Sequence, residues 1–174
     1  KLDLFGCEKI NSLDSLSNLK ELEQLDLSYC SNLTSLDGIS ELKKLKKLNL
    51  KSCMKINSLD FLSNLKELEQ LDLNRCSSLS SLPDLSKLSH LQVLSFVGCS
   101  SLSSITALSK LSQLQVLSLA GCSGTNLVPN TGPGSSEGKG GQPGPSFTQF
   151  TDIPMPSNSS LDMDRSIIFG ASDA

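Results

Sequence analysis

The sequence has no tryptophan, and aromatic residues amount to only 4% of the chain. A core without large rings has to come from aliphatic side chains. Histidine occurs once, as His90 in the variable slot of LSKLSHLQV, with no nucleophile or carboxylate at a fixed spacing, so histidine-based acid–base chemistry has no partner. The nucleophile elbow G-x-S-x-G, the phosphate loop and the dinucleotide-binding glycine pattern are all missing. No catalytic residue is assigned, and the expectation is a non-enzyme without cofactor, metal or small-molecule substrate. No apolar run approaches the ~20 residues that a membrane-spanning helix needs. The formal net charge of -3 gives no general attraction to nucleic acid or to an anionic membrane surface. The first residue is Lys1, and no charged-then-apolar leader follows it, so the chain is either processed or a piece of something longer.

Proline is scarce through most of the chain and then abundant. From Gly124 onward lie 6 of the 7 prolines and 8 of the 12 glycines. Residues 1–123 carry 13 acidic and 13 basic side chains, and the remainder carries 5 acids against 2 bases, which accounts for the whole net charge. This divides the chain into a body over 1–127 and a Gly/Pro/Ser-rich tail over 128–174. The tail has no periodicity and reads as largely disordered. Its scattered apolar residues (Phe147, Phe150, Ile153, Met155, Ile167, Ile168 and Phe169) offer the alternative of folding over an end of the body.

What the body does have is a strict period of 23. Cys7, Cys30, Cys53, Cys76, Cys99 and Cys122 recur at that interval. Units begin at Leu2, Leu25, Leu48, Leu71 and Leu94, with a partial sixth at Leu117. The segment LSNLKELEQLDL appears unchanged at Leu16 and at Leu62. Within the second unit the apolar positions are Leu25, Leu27, Cys30, Leu33, Leu36, Ile39, Leu42 and Leu45. The first two alternate, as in a short strand with every second side chain inward. After the cysteine the spacing becomes three, which suits an extended segment, a 3₁₀ turn or a short helical face. Ser17, Ser40, Ser63, Ser86 and Ser109 each stand two residues before an inward leucine, where a hydroxyl could cap a turn by accepting free amide hydrogens. No unit can bury its apolar edge alone, but stacked units share a continuous core.

The pattern L-x-x-L-x-L-x-x-C-x-x-L is that of the leucine-rich repeat. It implies an α/β solenoid: a horseshoe arc with short parallel strands on the concave face and 3₁₀ or short helical turns on the convex face. Units such as LDLSYCSNLTSLDGISELKKL and LSFVGCSSLSSITALSKLSQL resemble the cysteine-containing repeats of trypanosome expression-site-associated proteins, some described as adenylate cyclase regulators. They resemble less closely those of plant immune receptors, whose arms often carry Leu-Pro where only Leu82-Pro83 occurs here. Family membership implies an intracellular partner-binding protein, cytoplasmic or nuclear, and leaves open an upstream RING domain.

The cysteines admit three roles. An even count in a small secreted domain suggests disulfides. A register-locked column in a leucine-rich body points instead to free structural thiols, each compact, apolar and carrying a weak donor for buried backbone groups at the turn. Zinc binding finds no C-x-x-C pair or nearby histidine.

Strand residues between the leucines are expected to face solvent and to bind another protein. The candidates are Phe5, Asp26, Tyr29, Asn49, Lys51, Asp72, Arg75 and Val97, of which Tyr29 and Arg75 are residue types enriched at binding hot spots. The basic run KKLKKLNLKSCMK lacks the aromatic interleaving that single-stranded nucleic acid uses for stacking. Glu23, Lys46 and Glu69 share one column, so an exposed charge ladder is expected there. The chain is thus expected to be a non-catalytic scaffold or regulator. The alternatives are a truncated recognition arm of a larger ubiquitin ligase or immune-type receptor, or a degenerate repeat without present function.

Overall fold

A computed structural model describes residues 1–122, together with the backbone of two short strands near the C-terminus. Six strands follow the 23-residue period: β1 (Leu2–Asp3), β2 (Gln24–Asp26), β3 (Lys47–Asn49), β4 (Gln70–Asp72), β5 (Val93–Ser95) and β6 (Val116–Ser118). They pair in parallel and in sequence order, with Leu25 opposite Leu48 and Leu48 opposite Leu71. Parallel neighbours require a long crossover, and here each coil supplies it. Register is held because a slip of one residue would turn every inward leucine to solvent.

The apolar positions of each coil converge on one core. Leu27, Leu33, Ile39, Leu42 and Leu45 of the second coil are fully buried, as are Leu50, Leu65 and Leu68 of the third. Phe96 takes the place of Leu27 and Leu73 in the fifth coil and is fully buried too. The solenoid anticipated from the repeat is what the chain forms. The outer side of the coils carries 3₁₀ turns at Asp14–Asn18, Asp37–Glu41, Asp60–Asn64 and Thr106–Lys110.

Two local expectations are corrected. The serines thought to cap these turns lie inside them: Ser40, Ser63 and Ser109 donate back to the carbonyls of Asp37, Asp60 and Thr106. The receiving role belongs to serines two residues before each turn, where the Oγ of Ser12, Ser35 and Ser58 accepts the amides of Asp14, Asp37 and Asp60. In the fourth coil Pro83 stands where those aspartates stand, has no amide hydrogen to donate, and no 3₁₀ turn forms between Leu82 and Lys87. The charge ladder is also displaced. Among the described residues the ion pairs join Lys44 to Glu21 at 2.6 Å, Lys20 to Glu41 at 3.1 Å and Lys110 to Asp84 at 3.3 Å. In the column of Glu23, Lys46 and Glu69 it is the backbones that bond, the Lys46 amide to the Glu23 carbonyl and the Glu69 amide to the Lys46 carbonyl.

Within the tail, β7 (Ser160–Leu161) and β8 (Ser166–Ile168) continue the sheet. β8 runs antiparallel to β6, pairing Ile168 with Val116 and Ser166 with Ser118, and β7 pairs in turn with β8. The other residues of the tail lie outside the described part of the chain.

Candidate functional site

Two rows follow from the strand register, half-buried except at Lys1 and Lys47. Lys1, Gln24, Lys47 and Gln70 form one, and Asp26, Asn49, Asp72 and Ser95 form the other, and together they line an open groove along the strand face. The second row is tied into the fold. The Asp26 carboxylate accepts the amide and hydroxyl of Ser28 at 2.8 and 2.5 Å and the side-chain amide of Asn49 at 3.0 Å. Asn49 Oδ1 accepts the amide of Lys51, and Asp72 accepts that of Asn74 at 2.8 Å. These side chains thus hold the backbone as it leaves each strand, a local bonding that short polar side chains favour.

The same carboxylate position has opposite electrostatics in the second and fourth coils. At Asp26, burial pushes the carboxyl up, but the Ser28 and Asn49 hydrogen bonds and the Lys1 charge outweigh it and leave it below the ordinary carboxylate value. At Asp72, burial is the larger effect and holds the carboxyl above that value, despite the Asn74 amide and the nearby Lys51 charge. More desolvation and fewer donors favour the neutral acid.

Beyond the strands every coil makes the same turn. Gly6, Gly98 and Gly121 have positive φ there, and so do Tyr29, Ser52 and Arg75, at 63°, 59° and 59°. The turn is pinned by amides of this column: Tyr29 donates to the Lys51 carbonyl at 2.7 Å, Ser52 to Asn74 at 2.7 Å and Arg75 to Val97 at 2.8 Å. Of the eight candidate residues, the groove takes in three. Asp26, Asn49 and Asp72 line the groove. Phe5, Tyr29 and Lys51 gather at the strand exits, with the Phe5 and Tyr29 ring centroids 5.3 Å apart and Lys51 Nζ 5.9 Å from the Tyr29 centroid. Arg75 is exposed in the same turn column, and Val97 is half-buried with its amide donated to Asn74 Oδ1 at 2.7 Å. The groove also takes in Lys1, Gln24, Lys47, Gln70 and Ser95, outside the eight. The turn column was readable in advance, because three of its six members are glycine.

The cysteine column points inward, and its thiols are free. From the second coil on, each thiol donates to a main-chain carbonyl of the preceding coil: Cys30 to Leu4, Cys53 to Leu27, Cys76 to Leu50, Cys99 to Leu73 and Cys122 to Phe96, at 3.0–3.3 Å. The Leu27 carbonyl already accepts the Cys30 amide at 3.1 Å, so the thiol of the next coil fills its second acceptor site. Burial pushes the thiols of Cys53 and Cys99 up to about 12 and that of Cys76 at least as strongly, so all three stay protonated and unreactive at neutral pH. These are the inward backbone groups that a compact donor has to satisfy. His90 is exposed, with Nδ1 3.2 Å from the Lys66 carbonyl oxygen. Among the described residues, no group of three or more His, Cys, Asp and Glu is placed to hold a metal ion, and no helix is long and apolar enough to cross a membrane.

Comparison with solved structures finds an internalin (inlF) of Listeria monocytogenes, 22% identical over 65% of this chain and 52% of that one, with a TM-score of 0.37. Internalin C2 of the same organism is 21% identical over 64% of this chain and 57% of that one, with a TM-score of 0.44. A leucine-rich repeat protein of Leptospira interrogans is 18% identical over 70% and 49%, with a TM-score of 0.34. The chain spans about half the length of these solved chains. A search of curated proteins gives no match. The model of the BspA type leucine rich repeat region matches residues 3–126 in six copies, the number of cysteine-bearing coils. The chain therefore belongs to the BspA-type leucine-rich repeat family.

Proposed function

We propose that the chain is a non-catalytic binding scaffold or regulator that seats a segment of another protein in the groove along its strand face. Leucine-rich repeat proteins generally act in protein binding. The observation that carries the proposal is the groove itself: an open channel running across five coils, whose polar side chains stand on a backbone already saturated by inter-coil hydrogen bonds. Its length suits an extended polypeptide, and a preformed surface loses little freedom on binding. The floor changes along its length, from Lys47, Gln70 and Asp72 in the middle coils to Val93 and Ser95 in the fifth, which sets a direction for the bound segment. The free, carbonyl-bonded thiols support a reducing, intracellular compartment. The narrower resemblance to trypanosome expression-site-associated proteins adds the expectation of a regulatory partner.

The test is affinity capture from the native cell with the full chain and with a Lys47→Ala/Gln70→Ala variant. Neither side chain is bonded to another of the described residues, so the variant is expected to keep the wild-type circular dichroism. The expected result is a protein recovered by the wild type and lost with the variant. Recovery of the same set by both rejects the groove.

A further inference from the structure

The turn that follows each strand needs a left-handed backbone, which glycine adopts freely and other residues adopt under strain. Coils one, five and six use Gly6, Gly98 and Gly121 there, while coils two, three and four use Tyr29, Ser52 and Arg75. Two of these three are large and exposed. The strain at Tyr29 and Arg75 brings no burial in return, and residues held this way concentrate at binding sites.

Their neighbours give the surface a definite chemistry. Phe5 is 64% exposed and Tyr29 40% exposed, and their tilted rings form one aromatic ledge. Lys51 stands over the Tyr29 ring. Arg75 follows in the same column, with its stem beside Gly98, where even a Cβ would come within 3.4 Å of Arg75 Cγ. Neither Lys51 nor Arg75 lies within ion-pair distance of a carboxylate among the described residues. The nearest acidic column is turned to other work: Asp3 accepts the Phe5 amide, Asp26 is saturated by Ser28 and Asn49, and Asp72 accepts the Asn74 amide. The ledge is thus a pair of exposed rings flanked by two cations without ion-pair partners among the described residues.

We infer that this ledge is a second docking surface, distinct from the groove, and that it recognises an acidic segment of a partner protein carrying aromatic residues. A partner ring stacks on Phe5 and Tyr29, and partner carboxylates pair with Lys51 and with the planar fork of Arg75. An apolar partner without acids would leave both cations unpaired, and a basic one would be repelled.

The probe is a fluorescein-labelled octapeptide, GEFEDFEG, added to the full chain and followed by fluorescence anisotropy, with GKFKKFKG and GESEDSEG as counterparts. The acidic aromatic peptide binds, its affinity falls at least tenfold when either its rings or its acids are removed, and binding weakens as salt is raised. Tyr29→Gly and Arg75→Gly each weaken it at least fivefold. Both place in the turn the residue that three other coils already use, so folding is preserved. Lys51→Glu weakens GEFEDFEG and admits GKFKKFKG. Lys47→Ala/Gln70→Ala leaves the peptide affinity unchanged, so the ledge and the groove stand or fall separately. No binding of GEFEDFEG, or equal binding to wild type, Tyr29→Gly and Arg75→Gly, overturns the inference.

Discussion

The thiol of Cys53 donates a hydrogen bond to the main-chain carbonyl of Leu27, 3.1 Å away in the preceding coil. Repeated from Cys30 to Cys122, this bond ties each turn to the strand before it and accounts for the cysteine at every twenty-third position. Because the donor is protonated and buried, its removal and its ionisation both carry measurable consequences.

Cys76→Ala is expected to lower the unfolding free energy by about 2 kcal/mol, from the lost donor and the small cavity left behind. Cys7→Ala, at a half-buried position, costs less than half of that. Urea denaturation of the two variants checks the difference, and an equal effect would place the thiols outside the core.

Stability should also fall at alkaline pH. The folded chain holds the Cys53 and Cys99 protons up to about 12, against an ordinary value of 9.0. A raised folded value means a contribution that is whole below pH 9.0 and lost as the pH rises through about 12. Denaturation midpoints recorded between pH 8 and pH 11 should decline steadily, and a Cys53→Ala/Cys99→Ala variant should decline less.

Asp26 and Asp72 predict opposite signs for the same change. Asp26 is held below its ordinary value, so its stabilisation is present at neutral pH and is lost as the pH falls through the folded value. Asp72 is held above its ordinary value, so its contribution is greatest in acid and lost as the pH rises. Asp72→Asn should therefore stabilise the chain at pH 7, and Asp26→Asn should destabilise it, with both effects shrinking toward pH 3. Asn49 shows that asparagine fits this column, since its Oδ1 accepts the Lys51 amide.

Two backbone positions separate steric space from conformational strain. A Cβ on Gly38 would sit 2.1 Å from the Leu13 carbonyl oxygen, where the second 3₁₀ turn crosses the start of the first. Gly38→Ala is expected to cost about 3 kcal/mol, at the upper end for overpacking against rigid neighbours. Ser52 is the converse. It is 2% exposed, it has positive φ, and its hydroxyl is buried without a hydrogen-bond partner among the described residues. Ser52→Gly should stabilise by about 1 kcal/mol, because relief of left-handed strain and of an unpaired hydroxyl exceeds the entropy that glycine adds to the unfolded chain. Thermal melts of both variants check the pair.

The period, the strands and the inward cysteines were legible because each is a statement about columns, and a strict repeat makes every column visible. Atom-level partners were not. Ser40 and Ser35 both precede an inward residue, and only the backbone path shows that one donates to Asp37 while the other accepts from it. The ladder of Glu23, Lys46 and Glu69 failed for the same reason. Side chains of one column can sit one coil apart without facing each other, whereas Glu21 and Lys44, two residues earlier, do meet. The separation of Tyr29 and Arg75 from the groove was hidden by extending strand alternation past Asp26 and Asp72, where the strands stop. The glycines Gly6, Gly98 and Gly121 already marked that column as a turn.

The inward file of thiols on which the stacked coils depend is tested most directly by thiol counting with Ellman's reagent on the native and the urea-unfolded chain. Four thiols, those of Cys30, Cys53, Cys76 and Cys99, should stay unreacted in the native protein and become titratable on unfolding, leaving at most Cys7 and Cys122 accessible at the outset. Rapid reaction of all six in the native chain, or fewer than six free thiols after unfolding without reductant, would contradict the account.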